Sequence, residues 1–126
     1  MVELIETRLT ERILGAAIEV HRNLGPGLLE SAYRECLIDE LQHGRLHVER
    51  EVVLPIHYKG RVVRGAYRAD LIVENAVLVE LKAVEHLLPI HEAQTLTYLR
   101  LGGLRVGLLL NFFNCRLKDG IRRFVA

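Results

Sequence analysis

A chain of 126 residues, half of them apolar and 26% charged, has room for one hydrophobic core and the material to fill it, which excludes a disordered tail, a fibrous repeat and a pair of domains. Lysine and arginine number 17 against 16 acids, a net charge of +1, so a polyanionic partner would have to be met by a local basic patch rather than by the field of the whole molecule. The longest nearly apolar runs, such as residues 106–110, fall far short of the roughly 20 residues of a membrane helix, and the opening Met1-Val2-Glu3-Leu4-Ile5-Glu6 is acidic where a secretory signal is basic. The expectation is a single cytoplasmic domain over residues 1–126, with Cys36 and Cys115 as reduced, buried thiols, too few for a disulfide framework.

In chain order, Ile13, Leu14, Ala17, Ile18 and Leu24 recur at helical spacing, with Glu11, Arg12, Glu19 and Arg22 on the other side, predicting an amphipathic helix over 10–24 that Gly25-Pro26-Gly27 stops. Leu29, Tyr33, Cys36, Leu37 and Leu41 space a second helix to about Gln42, ended at His43-Gly44. Residues 47–82 are rich in Val, Ile, Leu and Tyr and are cut by glycine and turn residues. They read as three strands, Val48–Tyr58, Arg61–Val73 with a break at Gly65, and Val77–Lys82. Pro89 suits the first turn of a third helix, striped by Ile90, Ala93, Leu96, Thr97 and Leu101 and stopped by Gly102-Gly103. The apolar middle of 105–112 fits a strand buried on both faces, and 120–125 a short edge strand. The order ααβββαββ predicts an α/β (α+β) fold with a mixed sheet, antiparallel hairpins first and one parallel pair later across the helical crossover.

The chemistry-bearing residues lie on two of these strands. A period of two puts Glu80 and Lys82 on one face of Val77–Lys82. If residues 74–76 form a three-residue hairpin loop, Val73 faces Val77, Ile72 faces Leu78, and Asp70 stands opposite Glu80. Like charges at that range destabilise a sheet unless a cation lies between them. Magnesium or manganese is the natural choice, since both take carboxylates and water and need few protein ligands. Lys82 would then orient a nucleophile or stabilise charge at phosphorus, giving a hydrolytic site for a phosphodiester. The alternative is an ordinary set of surface ions, and a turn of even length would put the acids on opposite faces. Two helices offer further groups: Glu30 and Tyr33, three apart, and Gln94 and Tyr98, four apart. Glu30 equally suits a helix N-terminus through the dipole, and Gln94 with Tyr98 a solvated face.

Gly27, Glu30 and Tyr33 form G-x-x-E-x-x-Y, and with Tyr67-Arg68-Ala69-Asp70-Leu71, Val79-Glu80-Leu81-Lys82-Ala83-Val84-Glu85, the stretch from Leu88 through Gln94 to Tyr98 and Leu99, and Leu117-Lys118-Asp119-Gly120-Ile121 the chain resembles the small prokaryotic GxxExxY proteins over nearly its whole length. That family is grouped with the PD-(D/E)xK nuclease superfamily. The resemblance implies a mixed sheet flanked by helices and a Mg2+- or Mn2+-dependent nuclease. Asp70 and Glu80 would be its metal-binding acids, Lys82 the lysine of E-x-K and Glu30 an additional acid, with Gln94 and Tyr98 a Q-x-x-x-Y element. Ala69 stands where the superfamily name has proline. An intact set of acids and lysine argues against a degenerate copy.

Other signals point elsewhere. The histidines lack zinc spacing, although His91, three residues from Gln94, would border the same cleft. The Gly25-Pro26-Gly27 run lacks the lysine of a phosphate-binding loop and is a corner first. Arg61, Arg64 and Arg68, and Arg116, Lys118, Arg122 and Arg123, are clusters able to meet phosphates without reading bases. The expected function is hydrolysis of DNA, ahead of RNA, by a homodimer paired through the C-terminal strand edge. The alternatives are a catalytically inactive nuclease-fold module for nucleic-acid binding or for assembly, and an enzyme acting on a nucleotide or another small phosphate ester.

Overall fold

The computed structural model describes residues 6–126; the acidic opening over residues 1–5 lies outside the described residues. The elements are α1 (Thr7–Leu24), α2 (Glu30–His43), β1 (Val48–Tyr58), β2 (Arg61–Val73), β3 (Val77–Lys82), α3 (Pro89–Gly102), β4 (Val106–Asn111), a 3-10 turn (Leu117–Gly120) and β5 (Ile121–Val125). They run in the order expected. The strands form one five-stranded sheet, β1-β2-β3-β4-β5. Only β3 and β4 are parallel, because α3 carries the chain from one to the other; the remaining neighbours are antiparallel.

The alternation of apolar residues sorts the core into two layers. Val77, Val79 and Leu81 of β3 and Val106, Leu108 and Leu110 of β4 pack with Ile13, Ala17 and Val20 of α1 and Tyr33, Leu37 and Leu41 of α2. On the opposite face Leu78 and Ile72 pack with Leu54, Ala69 and Leu99, the last from α3. All six positions of β4 are buried, which is why that strand reads as a continuous apolar run rather than an alternating one. Among the described residues no helix is long and apolar enough to cross a membrane.

Several local features differ from the sequence expectation. Helix α1 begins three residues early, at Thr7, whose carbonyl accepts the Thr10 hydroxyl at 2.9 Å. Helix α2 does end at His43-Gly44 as expected, and the left-handed residue that follows is Arg45, at φ 64°, with Leu46 N–H reaching back to the Leu41 carbonyl at 3.0 Å. Strand β2 is continuous through Gly65, yet the β1–β2 register shifts between Leu54 and Ile56. Gly65, at φ 82°, absorbs the extra residues as a bulge that a side chain would resist. The cysteines are not both buried: Cys36 is half-buried and Cys115 exposed, because Cys115 lies in the loop after β4 rather than under a core element. His91 has a local task at the helix start. Its Nδ1 accepts the Leu88 backbone N–H at 3.0 Å and its own N–H donates to the Leu88 carbonyl at 2.9 Å, so it closes the start of α3.

Candidate active site

The β2–β3 turn sets the geometry. Residues 74–76 form the three-residue loop, with Ala76 N–H on the Val73 carbonyl at 3.0 Å and both Glu74 and Asn75 left-handed. Glu74 is held in that conformation by exchange with His47: its N–H donates to the His47 carbonyl at 2.8 Å and its carboxylate accepts the His47 N–H at 2.6 Å. The resulting register, Val73↔Val77, Ile72↔Leu78 and Leu71↔Val79, is the one read from the turn length.

The ladder then stops, and two side chains replace the backbone links. Asp70 N–H donates to Glu80 Oε1 at 2.9 Å, and Leu81 N–H donates to Asp70 Oδ2 at 2.9 Å. Each carboxylate therefore satisfies a strand N–H that the missing ladder would leave unpaired. Each also keeps one oxygen outside this exchange. Glu80 is 5% exposed; burial first, then the Asp70 charge, pushes its carboxyl from 4.5 up to about 8.

Three further groups share this field. Lys82, half-buried at the end of β3, makes no ion pair or hydrogen bond through its ammonium among the described residues, and its charge favours the ionised forms of both Glu80 and Glu30. Glu30 sits in the first turn of α2, where desolvation and then Asp70 raise its carboxyl above the usual range against the opposing pull of Lys82 and Arg34. It feels the pair but makes no hydrogen bond to it, and no group of three or more His, Cys, Asp or Glu side chains is gathered as a metal cluster among the described residues. Tyr98 of α3 is half-buried. Desolvation, then the Glu80 charge, raises its phenol above the ordinary value, and its ring lies 5.8 Å from that of Tyr67. Gln94, one helical turn earlier, is half-buried and without a side-chain hydrogen bond among the described residues.

Tyr33 does not join them. It is fully buried, its hydroxyl donates to the Gly25 carbonyl at 2.6 Å and accepts the Leu28 N–H at 3.1 Å, and its ring stacks on Phe112 at 4.5 Å. The tyrosine of G-x-x-E-x-x-Y thus clips the corner between α1 and α2, and so fixes where Glu30 starts its helix.

Two residues that sequence reasoning missed complete the arrangement. Arg34 lies one turn after Glu30 on α2, with its side chain 18% exposed. Its guanidinium is 3.7 Å from Asp70 Oδ1 and 3.7 Å from Glu51, while Nε is buried without a hydrogen bond. The i, i+4 spacing of Glu30 and Arg34 was the available signal. Asn111, buried at the end of β4 beside Lys82, accepts the Val84 N–H at 3.0 Å and donates to the Val84 carbonyl at 2.8 Å. It anchors the chain where it leaves Lys82. A lone asparagine closing an apolar strand was its only mark in the sequence.

The sequence model of the PD-(D/E)XK nuclease superfamily matches residues 7–124. The chain belongs to this superfamily. Among curated proteins and among solved structures, none matches it at a significant level. Members of the PD-(D/E)XK superfamily are nucleases and typically use divalent metals such as Mg2+. The residues of this PD-(D/E)XK chain fit such an ion by their chemistry: the donors are hard carboxylate oxygens, two acids are held against each other at a cost that a cation would remove, and a third lies within their field.

Proposed function

We propose that this chain, as a single domain over residues 1–126, is a divalent-metal-dependent nuclease that hydrolyses phosphodiester bonds of DNA, ahead of RNA, and that within the superfamily it is a GxxExxY protein. The observation that carries the reading is the reciprocal clasp of Asp70 and Glu80 at the point where β2 and β3 part, with Lys82 beside it. Asp70 and Glu80 would hold Mg2+ or Mn2+, and Glu30 would reach the ion directly or through water. Bound there, the ion would polarise a phosphate oxygen and lower the pKa of water. Lys82, without a carboxylate partner of its own within ion-pair distance among the described residues, is available to orient the attacking water and to stabilise the charge that grows at phosphorus. Tyr98 and Gln94 from α3 would contact the phosphate or the water on the opposite side. Arg34, 3.7 Å from Asp70 Oδ1, holds that oxygen toward α2. Strand β5, at the sheet edge, offers the route for pairing into a homodimer.

The test uses single- and double-stranded DNA and RNA in Mg2+ and in Mn2+, with Asp70→Asn and Glu80→Gln as controls. These substitutions keep an acceptor for the strand N–H groups while removing the charge. Cleavage by the wild type that both substitutions abolish, together with calorimetric Mn2+ binding that both weaken, is the expected result. Nucleic-acid binding unchanged by Asp70→Asn, with no cleavage on any substrate, would replace this reading with that of a non-cutting binding module.

A further inference from the structure

Strands β1 and β2 outrun the rest of the sheet. β3 pairs with β2 only over Leu71–Val73, whereas β1 and β2 stay paired out to Tyr58↔Arg61. A two-stranded arm over residues 52–69 results. Leu54 and Ala69 fasten its base by packing with Leu99 of α3, and beyond them, over residues 55–65, no side chain is fully buried. Lys59 and Gly60, at φ 47° and 77°, close the tip. Left-handed conformations at both central positions mark the primed two-residue turn that keeps a hairpin twisted but unsplayed.

Charge separates this arm from the rest of the molecule. Residues 52–69 contain no acid, while Lys59, Arg61, Arg64 and Arg68 are all present and exposed. Against a net charge of +1 for the whole chain, the remainder carries an excess of acids. The three arginines make no ion pair or side-chain hydrogen bond among the described residues, and Lys59 lies 5.4 Å above the Tyr58 ring. Tyr58 is 53% exposed and Val62 47%. A bare two-stranded ribbon gains little stability from its own contacts, so stability does not explain four cations there without an acidic partner. The arm also leads to the candidate site: Arg68 stands two residues before Asp70, and Tyr67 touches Tyr98.

We propose that this arm is a clamp for double-stranded DNA, its four cations set against phosphates along the duplex whose backbone reaches Asp70 and Glu80. The proposal rests on the nuclease reading for what happens at the carboxylates, but not for the binding itself. A two-stranded ribbon fits the major groove of B-form DNA, about 12 Å wide, whereas the deep, narrow major groove of A-form RNA shuts it out. From Arg61 to Asp70 the strand spans roughly 25–30 Å at about 3.3 Å per residue, most of one DNA turn of about 34 Å.

The experiment measures fluorescence anisotropy of a labelled DNA duplex with the full chain in EDTA, across a salt series. A triple variant, Lys59→Gln with Arg61→Gln and Arg64→Gln, is compared with an equal loss of charge at Arg8, Arg45 and Arg105, each to Gln. Arg8 and Arg105 lie beside the β2–β3 turn, with Arg45 in the loop after α2, at the end of β3 away from Glu80. Losing about three phosphate contacts lowers the slope of log affinity against log salt by about 2.7 and weakens binding at 0.1 M salt about 100-fold or more; the control triple changes affinity by less than about threefold. Wild type prefers duplex DNA to duplex RNA and to single strands, and the arm variant loses that preference. Equal losses in the two triples, no duplex binding by the wild type, or equally tight arm-dependent binding of RNA or single strands would each overturn the clamp. Calorimetric Mn2+ titration keeps the two readings apart. The arm variant retains the wild-type affinity for the ion, and a wild type that binds duplex through the arm but takes up no Mn2+ would sink the nuclease reading while leaving the clamp standing.

Discussion

Replacing Glu80 by glutamine is expected to stabilise the metal-free protein at alkaline pH, although it alters a buried, hydrogen-bonded side chain. In the folded chain burial and the Asp70 charge push this carboxyl from 4.5 to about 8; unfolded, it titrates at about 4.3. Between those values the folded state holds a proton that the unfolded state has released, so stability falls as pH rises. The contribution is fully present below about pH 4.5 and is lost by the time pH has climbed through 8. At about 1.36 kcal/mol per pH unit the ceiling is about 5 kcal/mol, and sharing of the proton between two coupled acids brings the expected effect to about 2–4 kcal/mol. Glutamine keeps an acceptor for Asp70 N–H and carries no charge. The variant should therefore match wild type near pH 4.5 and exceed it by that amount at pH 9, about 6–12 °C in Tm for a chain of this size. Urea unfolding followed by circular dichroism in EDTA, from pH 4.5 to 9, measures both curves. Added Mn2+ at pH 8 then raises the Tm of the wild type and not of the variant. Parallel curves, or a wild-type stability that stays flat between pH 5 and 8, would refute the electrostatic account of the pair.

Three more outcomes are expected. Arg34→Met removes the guanidinium 3.7 Å from Asp70 Oδ1 that opposes an incoming divalent ion; calorimetry should show Mn2+ binding tightened by about fivefold, about 1 kcal/mol, the scale of a partly exposed charge pair. Tyr33→Phe leaves the Gly25 carbonyl and Leu28 N–H without their partner and should cost about 1–3 kcal/mol in denaturant unfolding while Mn2+ affinity at Asp70 and Glu80 holds. Gly120→Ala would set its new methyl 2.5 Å from the Asn111 carbonyl oxygen and 2.6 Å from Asn114 Oδ1; the required shift should cost at least about 1–3 kcal/mol, read as a lowered Tm.

What the sequence made legible was whatever depends on spacing along one or two adjacent strands. The length of the 74–76 loop determines which residues of β2 and β3 face each other, so the meeting of Asp70 and Glu80 followed from counting once the turn was assumed. The buried strand β4 was equally plain, because burial on both faces leaves no polar position to disguise it. Arg34 was legible only as a neighbour of Glu30 on one helix face; its nearness to Asp70 depends on how α2 rolls against the sheet, which spacing along the helix does not record. Tyr33 looked like a chemical group because a phenol beside a glutamate is compatible with catalysis; only the packing of Phe112 and the path of the Gly25–Leu28 corner show where its hydroxyl is spent. Cys115 was expected inside on residue type alone, and the loop that carries it decided otherwise.

Because the two acids double as the rivets that close β2 against β3, under the proposed function they would answer to two demands at once, reaction and cohesion. On that proposal a descendant that stopped cutting would still need a side-chain acceptor at both positions, acid or amide, so mutational drift after loss of activity would erode Lys82, Gln94 and Tyr98 first. In such a lineage the lysine, rather than the acids, would serve as the witness to a working enzyme.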